Sequence, residues 1–348
     1  MRRVIIICLL LSLVMLGCGA HPDHIDTAST APETMQVFAM DTFMDLQAYG
    51  PGAKAGLDSC AALLTELDHL ISVTDETSEI YQLNHSGSAA VSEKTALLMS
   101  AALDLSADAG PALALTVYPI LRAWGFTTAE YRIPSDAEIQ EMLPLVDDSK
   151  VQLDGASVSL PEGAELDLGA VGKGWAGDRA AELLQESGVS SALLSLGGST
   201  IRTLGTKPDG KLWRIAIQDP DDPAGYAGIV EIGEGAVNTS GGYERYFTDE
   251  DGTVYWHILD PETGYPADSG LISVTILTED SFTGDGLSTA LFVLGADQAQ
   301  TLWRQRGDFE FILINQDRNL ILSEGAAACF TPKGQYEHAE QTVISHEN

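Results

Sequence analysis

Residues 165–179 read ELDLGAVGKGWAGDR, and how this stretch is read decides the fold. An acidic strand end, Gly169, Gly172, Gly174 and Lys173 run into a segment with Trp175, Ala176, Ala180, Leu183 and Leu184 at helical spacing. Glycines let a main chain approach a ligand closely. A helix start offers free N–H groups and partial positive charge, to which Lys173 adds a full charge. The expected arrangement is therefore a strand, a glycine turn that receives an anion such as phosphate, and an amphipathic helix. The spacing fits neither G-x-x-x-x-G-K-[ST] nor G-x-G-x-x-G, so no nucleotide-binding motif is met. A plain glycine turn with a solvated lysine stays open as the alternative.

Working outward, residues 194–198 read LSLGG, 237–247 VNTSGGYERYF, 255–266 YWHILDPETGYP and 281–295 SFTGDGLSTALFVLG. Asp285 and Thr289 lie four apart on a predicted helix, stacking a carboxylate and a hydroxyl on one face. Both are hard oxygen ligands of the kind magnesium takes, although Asp285 could instead cap the helix while Thr289 packs. Asp167 could accept from a ligand donor and Lys173 could neutralise a phosphate, or the two could form an ion pair. His257 sits on a predicted strand ahead of the turn at 260–264. Its imidazole suits a general base, and a structural histidine is the other reading.

Together with the opening stretch these blocks, in this order, resemble the FAD:protein FMN transferases, the ApbE-type flavin transferase family. Weaker similarity at residues 40–42 and 78–84 extends the resemblance over nearly all of the chain after its leader. It implies an α+β, T-fold-like architecture of mixed sheets flanked by helices in two lobes, with the site between them. The implied reaction moves FMN from FAD, the substrate, onto a threonine or serine hydroxyl of a partner protein and releases AMP. Asp285, Thr289 and the carbonyl of Ala170 would hold Mg2+, and His257 would act as base. Met40, Ala112, Leu113, Ala114, Asp167, Lys173 and Ile258 would contact FAD. Partners would be flavin-accepting subunits of membrane redox complexes or extracytoplasmic flavoproteins. With water as acceptor the same site would be an FAD pyrophosphatase; without catalysis, a lipid-anchored FAD-binding protein. The chain departs from the family pattern at Asp41, where glycine is usual, at Thr74, where an aromatic ring is common, and at Ala114, where aspartate is usual.

The chain has 348 residues, 45% of them hydrophobic, enough for a substantial core. Its 51 acidic against 18 basic residues, a formal charge of -33, argue against nucleic-acid binding. They also repel a pyrophosphate, so local cations must outweigh the overall field. Arg2 and Arg3 precede an apolar run over residues 4–16 that ends Leu16-Gly17-Cys18. This order resembles a bacterial lipoprotein signal, with residues 1–17 removed and Cys18 lipidated. The protein is then expected on the extracytoplasmic side, at the outer face of the cytoplasmic membrane or in a periplasm. Residues 18–34 are polar and read as a flexible tether, 35–335 as the transferase domain and 336–348 as a polar tail. Cys60 and Cys329 remain, expected as buried free thiols, with a disulfide still possible.

Periodicity predicts a strand or hairpin over 35–49, helices over 53–71, 92–109 and 135–143, and a hairpin over 151–160 with Asp154-Gly155 at its turn. One buried strand is expected over 192–204, carrying Gly197-Gly198, with further strands at 213–218, 229–232 and 272–278. Residues 243–247 should pair with 254–259. Helices at 283–294 and 299–306 and a closing hairpin at 309–321 complete the order.

Overall fold

In the computed structural model, which describes residues 31–346, the stretch expected as a strand or hairpin is a tight hairpin of strands Glu33–Ala39 and Thr42–Ala48. Its two turn residues, Met40 and Asp41, both have positive φ, 51° and 58°. Glycine takes such a conformation freely and aspartate tolerates it, so Asp41 keeps the hairpin that a glycine would make. Cys18, the leader and most of the tether fall outside the described residues.

This hairpin starts a nine-stranded sheet whose neighbours follow chain order: Ala192–Leu196, Thr200–Leu204, Gly235–Gly241, Leu271–Thr278, Phe309–Asn315, Leu320–Ser323 and Gln341–Ile344. All neighbours are antiparallel except the last pair. Residues 192–204 are thus two strands rather than one, because Gly197 and Gly198 at φ 72° and 78° reverse the chain. The strand Gly235–Gly241 lies mid-sheet. The last residues are not a polar tail: Tyr336 is fully buried, and Gln341–Ile344 pairs with Leu320–Ser323 along the sheet edge. The hairpin expected to close the fold is therefore followed by one more strand of this sheet.

One face of the sheet carries helices Ala53–Ile71, Gly169–Glu186 and Ser281–Arg306. The other carries a three-stranded sheet of Trp213–Asp219, Asp222–Ile232 and Phe330–Pro332, joined through Ile201, Trp213, Val230, Val237 and Ile312. Helices Glu93–Ala109 and Asp136–Met142 begin at Ser92 and Ser135, whose hydroxyls accept from Thr95 N–H and Glu138 N–H. The hairpin Gln152–Asp154 and Ser157–Ser159 forms as expected, and Tyr246–Thr248 pairs with Val254–Trp256. Gly295, at φ 78° and ψ 173°, breaks the long helix into the two segments expected from the sequence.

The deciding stretch differs from its expected form. Gly169, Gly172 and Gly174 are not a turn but the first turns of the helix itself. Their lack of a side chain is used for packing instead. A Cβ at Gly174 would stand 2.3 Å from the carbonyl oxygen of Ser281, and one at Gly177 would stand 2.7 Å from Ser281 Oγ. The helix is therefore pressed against the start of helix Ser281–Arg306, where the candidate metal ligands reside.

Candidate active site

The contact between these two helices is fastened by charge. Asp178, 8% exposed, accepts the N–H groups of Ser281 at 2.9 Å and Phe282 at 2.8 Å. Arg202 Nε donates to the same carboxylate at 3.0 Å. An acidic group at a helix N-terminus satisfies donors that the helix leaves free and favours its dipole. Burial raises the Asp178 carboxyl above the ordinary range, and the two N–H bonds and Arg202 pull it partly back. Asp280 caps the helix by accepting Thr283 N–H at 2.8 Å. The capping role open to Asp285 is thus already filled.

Asp285 lies one turn further in, buried, and accepts from Gly174 N–H at 2.8 Å and Thr200 Oγ1 at 3.1 Å. In an ordinary helix the Gly174 N–H would be given wholly to the carbonyl of Ala170. Burial pushes the Asp285 carboxyl up, while the charge of Lys173 and then these bonds hold it back. Thr289 is partly exposed, with its hydroxyl 3.4 Å from Ser240 Oγ. Asn238, fully buried, donates to the Ser281 carbonyl at 3.2 Å, and its Oδ1 has no partner among the described residues.

Hard divalent cations take oxygen ligands and keep waters. The Asp285 carboxylate, the Thr289 hydroxyl and the Ala170 carbonyl offer that chemistry, and each Asp285 oxygen retains a free lone pair. The unpartnered Asn238 Oδ1 marks the same region as short of donors or cations. The residues fit magnesium. Among the described residues no three His, Cys, Asp or Glu side chains are grouped to hold a metal, so a cation here would rest on a single carboxylate.

Lys173 projects from the helix one residue before Gly174, and its charge acts on Asp167, His257 and Asp285. It makes no ion pair with Asp167 or with any other carboxylate among the described residues. Asp167 instead accepts Gly169 N–H at 2.7 Å, and burial raises its carboxyl despite that bond and the charges of Arg245 and Lys173. The main-chain N–H of Asp167 reaches the Leu115 carbonyl at 2.8 Å, bringing the segment Ala112, Leu113 and Ala114 to the site. Asp148 holds that segment by accepting from Leu115 N–H at 2.8 Å and Thr116 N–H at 2.9 Å. Leu113 is buried, with its side chain against Gly286; Met40 packs between two core clusters at the hairpin turn.

His257 directly follows strand Val254–Trp256. Its main-chain N–H and its Nδ1 both lie 3.1 Å from the Arg245 carbonyl. A carbonyl only accepts, so Nδ1 carries the proton and Nε2 keeps the lone pair. Loss of solvent around the ring, then the charges of Arg245 and Lys173, push its pKa down to about 4. The ring is therefore neutral at pH 7 and able to take a proton. Ile258, beside it, is buried, and its carbonyl accepts from Ala267 N–H.

The structure thus links the segment of Ala112 to Ala114, Asp167, Lys173, His257 and Asp285, sets Ala170 and Thr289 one turn from Gly174 and Asp285 on the two packed helices, and gives Met40 and Ile258 packing or main-chain contacts alone. Sequence reasoning missed Asp178, Thr200, Asn238 and Arg245. The GG-Tyr-Glu-Arg run of residues 241–245 was the available signal for Arg245. A groove of about 460 Å³ beside Ala112, lined also by Asp108, Asp260 and Glu262, has no lysine or arginine in its lining.

The sequence profile described as the ApbE family matches residues 40–313. An FAD:protein FMN transferase of Salmonella typhimurium is 32% identical over 89% of this chain and 92% of its own length. One from Vibrio cholerae is 35% identical over 71% of this chain and 78% of its own length. The crystal structure of the ApbE protein of Thermotoga maritima superposes with a TM-score of 0.80 at 31% identity, covering 86% of this chain and 99% of that one. The flavin transferase ApbE of Vibrio cholerae superposes with a TM-score of 0.75 at 29% identity over the same shares. A profile spanning most of the chain, relatives above 30% identity and a shared fold lead to one conclusion: the chain belongs to the ApbE family.

Proposed function

We propose that this protein is a flavin transferase that moves the FMN moiety of FAD onto a threonine or serine hydroxyl of a partner protein and releases AMP. The observation that supports the reading is Lys173, without an ion pair among the described residues, whose charge acts both on a neutral, oriented His257 and on Asp285. Its relatives are named for this reaction.

In the reaction the acceptor oxygen forms a bond to the FMN-side phosphorus, and the bond from that phosphorus to the bridging oxygen breaks. AMP departs with the electron pair, and the hydroxyl proton passes to Nε2 of His257. An alcohol is a poor nucleophile at neutral pH, so a base at this point contributes directly. Lys173 stabilises charge on the pyrophosphate inside a chain whose overall field opposes it. The segment of Ala112 to Ala114 meets the flavin through its main chain, since Ala114 offers no carboxylate. A magnesium ion held by Asp285, Thr289 and the Ala170 carbonyl would neutralise the breaking pyrophosphate.

The lipoprotein-like order of residues 2–18 supports a second part of the reading, that Cys18 tethers the mature chain to an extracytoplasmic membrane face. Among the described residues no helix is long and apolar enough to cross a membrane. Incubation with FAD, magnesium and a flavin-accepting subunit tests the activity. Covalent flavin fluorescence on the acceptor supports transfer, free FMN with AMP points to hydrolysis, and intact FAD points to binding alone.

A further inference from the structure

Arg245 is the charged group that the proposed chemistry leaves unused. Most described lysines and arginines sit in ion pairs, Arg202 with Asp178 and Arg318 with Asp221 among them. Arg245 has no carboxylate within 4.0 Å among the described residues, in a chain with 51 acidic and 18 basic residues, and its neighbour Glu244 does not take it. Its side chain is exposed and makes one long hydrogen bond, from Nη1 to the Phe126 carbonyl at 3.4 Å.

The charge of Arg245 acts on Asp167 and His257, the same two groups that Lys173 acts on. Two unpaired cations thus meet over one site from different elements, Lys173 from a helix and Arg245 from the start of the Tyr246–Thr248 hairpin. Neither cation has a carboxylate within 4.0 Å among the described residues, although Asp167 feels both charges, so both keep N–H donors free for an anionic ligand. The main chain of Arg245 is equally committed, since its carbonyl fixes the His257 ring. The guanidinium and the carbonyl that orients the ring thus belong to one residue. Arginine suits a phosphate because its planar fork matches two phosphate oxygens at once.

We infer that Arg245 is a substrate-binding residue that takes the FMN-side phosphate of FAD opposite Lys173 and aligns the phosphorus with His257. The inference rests on the flavin-transferase reading above. It is tested with the full chain and its R245Q and R245K variants, by titrating FAD in the presence of magnesium, following flavin fluorescence and thermal melting in parallel. R245Q is expected to bind FAD at least tenfold more weakly than the wild type, R245K to lose distinctly less, and both to melt with the wild type. An R245Q variant that binds FAD within twofold of the wild type overturns the inference and leaves the transferase reading standing. So does one that loses affinity only in step with a fallen melting temperature. A wild type that does not bind FAD at all removes both.

Discussion

Replacing Gly174 with alanine tests how the helix contact builds the site. The new Cβ would lie 2.3 Å from the Ser281 carbonyl oxygen, 2.7 Å from Asp285 Cβ and 2.8 Å from Phe282 Cα. Two of these atoms are main chain and cannot rotate away, so the two helices must part. Overpacking of this kind costs roughly 1–3 kcal/mol, and a rigid backbone contact belongs at the upper end. Alanine recovers about 1 kcal/mol of helix propensity, leaving a net loss of about 2 kcal/mol. Gly172→Ala is the control, since its Cβ meets only the terminal Cδ1 of Ile71, at 2.8 Å. That methyl can turn aside, so Gly172→Ala should be near neutral. Urea denaturation measures the two losses, and FAD-dependent labelling of an acceptor measures function. Gly174→Ala should also lose transfer, because the atoms displaced include Asp285 itself. Equal stability of the two variants, with labelling intact in both, would refute the account of the glycines as a close helix contact.

Other variants separate the remaining parts. The Asp285 carboxyl is raised in the folded protein, so its ionisation opposes folding, and stability falls as pH climbs through that raised value. Asp285→Asn can still accept from Gly174 N–H and donate to Thr200, so in EDTA at pH 8 it should melt above the wild type yet transfer nothing. A lower melting temperature with transfer retained would contradict both halves. Asp178→Ala leaves Arg202 without its buried partner and frees two helix N–H groups, which should cost about 3 kcal/mol in urea denaturation; a loss under 1 kcal/mol would show that the pair is dispensable. Cys18→Ala should move the protein from the membrane to the soluble fraction, and continued sedimentation with membranes would remove the anchor.

Local signals were legible in the sequence where they act over one or two turns. The helix Ala53–Ile71 follows from its apolar spacing, and the Ser92 and Ser135 caps mark their helices because a serine hydroxyl satisfies free N–H groups. The glycine stretch misled because glycine is a poor helix former in isolation. Only the approach of residues more than a hundred positions away explains why side chains are excluded there. A similar distance hid the pairing of Asp178 with Ser281. The strand Gly235–Gly241 lies mid-sheet, yet its run of Asn238, Thr239, Ser240 and Gly241 has little apolar patterning. Of the candidate site, Lys173 stood out in its glycine stretch, and the family resemblance favoured a functional over a structural reading of Asp285, Thr289 and His257. Arg245 was not, because an arginine ahead of a short strand reads as a solvated charge until its lack of a partner is seen.

The central claim is covalent transfer, and mass spectrometry of an acceptor protein incubated with this enzyme, FAD and magnesium tests it most directly. The account predicts an acceptor heavier by one FMN less one water, attached through a threonine or serine, with one AMP released per modified chain. An unmodified acceptor beside free FMN and AMP, or beside intact FAD, would contradict it.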